Sequence, residues 1–258
     1  MAAPSADPRH HPVRPPVPAA QLKASEVIAR QVVKTIADRG LMAGDMLPRE
    51  ADMVAEYGVS RETLREALRL LEVQGLITLR RGPGGGPVVG AAQSVNLGRA
   101  STLYFQMAGA TYNELFEAWV LGEATLAELA ARNPDAELRA STMARYSEAE
   151  DHGQHQSVAA FMGAHVGFHE AVGMLAGNRV LDLALGSFGK VVSYQAGVIE
   201  DPRIFRSQIF TDHKSVARAI ASGHNRAARR LMEEHIGAVL DYLRTHFDGR
   251  LDAPVEWL

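Results

Sequence analysis

The apolar positions of the chain follow two rhythms. Over residues 22–39, Val27, Ile28, Val32 and Ile36 recur at helical spacing, and Gly40 stands where a helix C-terminus accepts a left-handed residue. Gly44-Asp45-Met46-Leu47-Pro48 predicts a turn, and residues 50–57 a short second helix closed by Gly58. Ser60 is a suitable N-cap for a third helix over 61–74, in which Leu64, Leu68 and Leu71 form an i, i+4, i+7 stripe ending at Gly75. The period then changes. Residues 76–80 and Pro87-Val88-Val89 are β-prone, and the glycine-rich run 81–86 between them suits a hairpin. Three helices and a basic-tipped hairpin predict a winged helix-turn-helix over 22–90.

A small and polar stretch at 91–98 is expected to be a linker. Beyond it the long segments read as helix, among them 112–132, 158–175, 180–198, 211–222 and 226–247, with no competing strand pattern. Asn133-Pro134, Gly177-Asn178, Asp201-Pro202 and Gly223 punctuate the series, so residues 99–250 predict an all-α bundle whose core can hold a ligand. The fold class is therefore mainly α. Residues 1–21, interrupted by Pro4, Pro8, Pro12, Pro15, Pro16 and Pro18, are expected to form a disordered tail.

A length of 258 residues with 47% hydrophobic content accommodates two domains with real cores. No uninterrupted apolar run reaches the roughly 18 residues of a spanning helix, and the front of the chain lacks the pattern of a secretory signal. A cytoplasmic protein without a membrane partner is expected. The absence of cysteine excludes disulfide scaffolds, thiolate metal sites and cysteine nucleophiles, while ten histidines leave a nitrogen-based metal site open.

The net charge of -3 averages over unlike parts, because residues 1–90 hold 12 basic against 10 acidic side chains and the remainder 15 against 20. Within 60–81, Arg61, Arg65, Arg69, Arg80 and Arg81 face only Glu62, Glu66 and Glu72. Arginine presents a fork of donors that matches guanine O6 and N7, so a helix tip bearing Ser60, Arg61, Glu62 and Thr63, with Arg65 one turn on, is suited to base edges in a major groove. Arg80, Arg81 and Gly82 at the hairpin tip would meet the backbone or the minor groove. Double-stranded operator DNA is the expected partner.

The residues that carry this reading resemble a known family. Gly44-Asp45-Met46-Leu47-Pro48-Arg49-Glu50, then Gly58-Val59-Ser60-Arg61-Glu62-Thr63-Leu64-Arg65-Glu66-Ala67-Leu68, then Leu71-Glu72 and Gly75-Leu76-Ile77 are similar to the GntR family of bacterial transcription regulators. The resemblance implies a homodimer on a palindromic operator, with Ser60, Arg61, Thr63, Arg65 and the wing near Arg81 and Gly82 at DNA-contacting positions. Where the family commonly carries an arginine after the turn's glutamate, this chain has Ala51, and Arg49 is the candidate substitute.

His165 and His169 are four apart and so share one helix face, while His213 and His235 lie on later helices with apolar neighbours. Four converging imidazoles would suit zinc, nickel, copper or ferrous iron better than calcium or magnesium. The second half is similar to the FCD effector domain of the FadR subfamily. That resemblance implies a divalent transition metal, zinc or nickel, and a small-molecule effector, with His165 standing where the family has aspartate. It also places Trp119 where an arginine often faces the effector's acid group, so Trp119 is expected to wall the pocket, core packing being its plainer role. The reading is a metabolite-controlled regulator, a repressor relieved by effector and not an enzyme. Its rivals are a metal-free acyl-CoA-responsive regulator and a histidine-metal enzyme fused to a DNA-binding module.

Overall fold

The computed structural model describes residues 22–82, 84–148, 157–195, 203, 206–246 and 250–257. The tail expected at 1–21 lies outside the described residues, as do His10, His11, His152 and His155, which the sequence assigns to solvent. The chain divides into two compact units between Ala92 and Gln93.

The first unit contains α1 (Ala24–Asp38), α2 (Glu50–Tyr57), α3 (Arg61–Val73), β1 (Ile77–Arg80) and β2 (Gly86–Val89). Its core joins Ile28 and Val32 of α1, Met53 of α2, the Leu64, Leu68 and Leu71 stripe of α3, and Ile77 and Val89 of the hairpin. Burial of each large aliphatic side chain contributes about 1.5–3 kcal/mol. Between α2 and α3, Gly58 adopts φ 63°, a left-handed cap that lets the chain turn within two residues before Ser60 caps α3. β1 and β2 pair antiparallel from Ile77 opposite Val89 to Arg80 opposite Gly86. The expected turn at 44–48 does more than turn. Met46 bridges Val88, Leu47 N–H donates to the Pro87 carbonyl and Val89 N–H to the Asp45 carbonyl, so this segment lies along the outer edge of β2.

Among the described residues the second unit is helical apart from one bridge, between Thr111 and Pro254, with a short 3₁₀ turn at Arg250–Asp252. Its helices are α4 (Ser94–Ala108), α5 (Tyr112–Arg132), α6 (Ala136–Ser147), α7 (Val158–Ala176), α8 (Arg179–Gln195), α9 (Arg206–Ala221) and α10 (Asn225–His246). Central α5 buries Leu115, Phe116, Trp119, Leu126 and Ala127 and packs against α7, α8, α9 and α10. Phe168, Val172, Val216, Ile220, Met232 and Ile236 join the core from α7, α9 and α10.

Two expectations change here. Residues 94–98, read as linker, form the first turns of α4. Gly98 is small because α8 lies against it: a Cβ at this position would sit 3.3 Å from the Ser187 carbonyl oxygen and 3.4 Å from Val191. α9 also begins at Arg206, five residues before the expected start. Among the described residues α7 is the one helix long and apolar enough to cross a membrane. Here it packs against α5, α6, α8 and α9 and buries Phe161, Phe168 and Val172 in the bundle.

Candidate functional sites

The first candidate is a basic groove in the first unit. Ser60 Oγ accepts from the Thr63 amide at 3.1 Å and lies 2.9 Å from Thr63 Oγ1, so both hydroxyls stabilise the start of α3. The four-residue spacing of Arg61, Arg65 and Arg69 places them along one face of α3. Together with Arg49 at the N-cap of α2, and with Arg80 and Arg81 from the hairpin, they line one open groove of about 1170 Å³. Six arginines there meet three glutamates, Glu50, Glu66 and Glu72, which leaves the surface cationic. Glu72 is committed to the fold, accepting from the Leu79 amide at 3.1 Å.

Arg65 Nε lies 2.6 Å from Glu50 Oε1, and this hydrogen bond raises the pKa of the guanidinium, with the charge of Glu50 adding to the effect. Arg61, Glu62, Arg80, Arg81 and Gly82 are exposed, and Gly82 has φ 97° at the hairpin tip. Ala51 lines the groove with a methyl group. Arg69 is an addition to the expected contact set, and its signal in the sequence is the same four-residue repeat.

The second candidate lies in the helical unit. His165 and His169 on α7, His213 on α9 and His235 on α10 each bring a ring nitrogen to within 4.8 Å of the others. His213 and His235 are 7% and 1% exposed, and their Nε2 atoms are 3.2 Å apart. Phe168 stacks on the His213 ring at 3.9 Å between centroids. Burial pushes His165 and His213 well below the usual imidazole pKa, with the neighbouring imidazoles acting in the same direction, and pushes His235 below it against the opposing hydrogen bond and charge of Asp212. Neutral rings with free lone pairs are the form that binds metal. His165 Nδ1 and His169 Nε2 are buried without a hydrogen-bond partner, a costly state for polar atoms. Four convergent nitrogens, two of them orphaned, fit a divalent transition ion.

Two carboxylates stand behind the rings. Glu123 Oε2 lies 2.9 Å from His169 Nδ1, and Asp212 Oδ2 lies 3.2 Å from His235 Nδ1. Gln208 Nε2 holds the other oxygen of Asp212 at 2.7 Å. Trp119 is 5% exposed and donates its indole N–H to Glu123 Oε1 at 3.3 Å, with its ring 6.0 Å from that of His169. The residue expected on a pocket wall is thus buried beside the histidines, bonded to a glutamate that the sequence reading missed. Its signal was an acid on the apolar face of α5, four residues after Trp119; that of Asp212 was its adjacency to His213. His224 is exposed, away from the cluster.

The sequence pattern described as "Bacterial regulatory proteins, gntR family" matches residues 24–85, and that of the FCD domain matches residues 114–238. The chain is 26% identical over 173 residues to the HTH-type transcriptional repressor NanR of Escherichia coli O127:H6, covering 63% of this chain and 62% of that protein. It is 23% identical over 232 residues to NanR of Citrobacter rodentium, covering 86% of each. The chain is 38% identical over 69 residues to the "Putative HTH-type transcriptional regulator RmpR" of Mycobacterium gastri, covering 27% of this chain and 25% of that protein. A solved structure described as Streptococcus agalactiae GntR superimposes with a TM-score of 0.58 at 23% identity, covering 83% of this chain and 98% of that one, which shows a shared fold.

Proposed function

The chain belongs to the GntR family of bacterial regulatory proteins and carries an FCD domain, and from that premise we propose that it is a DNA-binding transcription repressor controlled by a small metabolite. The observation that carries the DNA reading is the groove between α3 and the hairpin, lined by six arginines. In this reading the start of α3 enters the major groove of an operator. Arg61 and Arg65 read base edges, Arg49 and Arg69 meet phosphates, and Arg80 and Arg81 with Gly82 approach the backbone or minor groove. The protein acts as a cytoplasmic homodimer on a palindromic site.

In the second unit His165, His169, His213 and His235 would hold a divalent transition metal, zinc or nickel, which would supply a Lewis-acid centre for an effector carboxylate. Nitrogen-only donors favour these ions over calcium or magnesium. Effector with unequal affinity for two arrangements of the dimer shifts operator affinity by that difference. The metal-free acyl-CoA alternative draws less support, because four convergent imidazoles, two of them with a buried unpaired nitrogen, have no use in it. Selection of bound duplexes from a random pool, at fixed salt, tests the regulator reading. Enrichment of a palindrome by the native chain and its loss in Arg61→Ala is the expected result, and equal retention of all sequences would overturn it.

A further inference from the structure

The four imidazoles leave one buried group unexplained. Glu123 is 2% exposed, and among the described residues its hydrogen-bond partners are the Trp119 indole and the His169 ring. A carboxylate withdrawn from water without a cation is costly, and it persists where a cation or strong donors compensate it. The four ring nitrogens are neutral donors, so they bring no charge to balance a dication. Among the described residues the carboxylates hydrogen-bonded to the cluster are Glu123 and Asp212, and of these Asp212 is the more exposed, with side chains 3% and 19% accessible respectively.

On the reading that a metal sits among the histidines, we infer that Glu123, clamped by Trp119, is the residue that positions His169 and supplies buried negative charge to the site. The carboxylate accepts the proton at His169 Nδ1, which leaves the lone pair on Nε2, the atom that is buried without a partner. Trp119 fixes the second carboxylate oxygen, so the acid cannot rotate away from the ring. Close packing holds the indole in turn, because a Cβ on Gly189 would lie 3.4 Å from Trp119 Nε1. Trp119 acts through Glu123 and is a positioning residue, not a surface for effector.

The isosteric substitution Glu123→Gln separates this role from packing. Glutamine keeps the shape and still accepts from Trp119. It turns its amide N–H₂ toward His169 Nδ1, which forces the ring proton onto Nε2, facing the cluster. Metal-stripped full-length protein titrated with cobalt(II) or zinc(II) alone should bind about 10- to 100-fold more weakly in Glu123→Gln, and less than tenfold more weakly in Trp119→Phe. Nitrogen-15 spectra of the metal-free native protein should show the His169 proton on Nδ1, and those of Glu123→Gln should show it on Nε2. If the native chain binds neither ion, the histidine-site reading fails and takes this inference with it. If the native chain binds and Glu123→Gln binds equally well, this inference alone is overturned. Should Glu123→Gln not fold, a proton on Nε2 of His169 in the native protein would equally overturn it.

Discussion

Arg65 and Glu50 join α3 to α2 through an ion pair of 2.6 Å that lies within the arginine-lined groove. The guanidinium is held in one direction before any DNA arrives, and a pre-oriented fork loses less freedom on meeting a base. Glu50→Ala should therefore have opposite effects on two quantities. Binding to random duplex should strengthen several-fold as a negative charge leaves the groove, while discrimination between operator and random duplex should fall. Titration of both duplexes at one salt concentration checks this, and a parallel change in both affinities would refute the orienting role.

Base-reading and phosphate-meeting arginines are separable by salt. Arg61→Ala should cost about 1–3 kcal/mol of discrimination. Arg69→Ala should weaken all duplexes alike and reduce the slope of log K against log salt by about 0.9 for the lost phosphate contact. Fluorescence anisotropy across a salt series measures both.

Ser60 has a structural task at the same helix tip. Loss of its N-cap in Ser60→Ala should destabilise the first unit by about 0.5–2 kcal/mol, as read by chemical denaturation, whereas Arg61→Ala should leave the unfolding midpoint unchanged.

Metal content should follow the cluster and not the histidine count. Elemental analysis is expected to find one transition ion per native chain and none in His169→Ala or His235→Ala, with His224→Ala, outside the cluster, unchanged. A chelator should lower the thermal midpoint of the native protein, since an ion present at 100 times its dissociation constant stabilises the folded state by about 2.7 kcal/mol. Equal metal in all four proteins would remove the site from these histidines.

Gly90 tests the junction of strand and helix in the first unit. A Cβ there would stand 2.6 Å from the Gly75 carbonyl oxygen, which belongs to backbone and cannot swing aside. Gly90→Ala should destabilise the unit by about 1–3 kcal/mol, detectable as a lowered denaturation midpoint.

The mainly helical class and the winged front were legible because local signals agreed: the Ser60 cap, the leucine stripe of α3, and the switch to β-prone residues after Gly75. The shared helix face of His165 and His169 was legible from spacing alone. Glu123 was not, because its meaning depends on α7 passing α5 at one height, which periodicity does not encode. The early turns of α4 were hidden by Gly98, whose smallness reads as flexibility in one dimension and serves a close helix contact in three. The pairing of residues 44–47 with β2 was masked by turn-forming Gly44 and Pro48.

That pairing has a consequence for how the wing meets a duplex. With Met46 bridged to Val88 and the Leu47 amide bonded to Pro87, the hairpin is braced along β2 like a three-ply splint. Arg80 at its end is presented on a stiff arm, so a target of unusual groove width must be accommodated by bending of the nucleic acid or by side-chain rotamers. New target preferences can then arise by exchanging tip residues while the brace stays untouched.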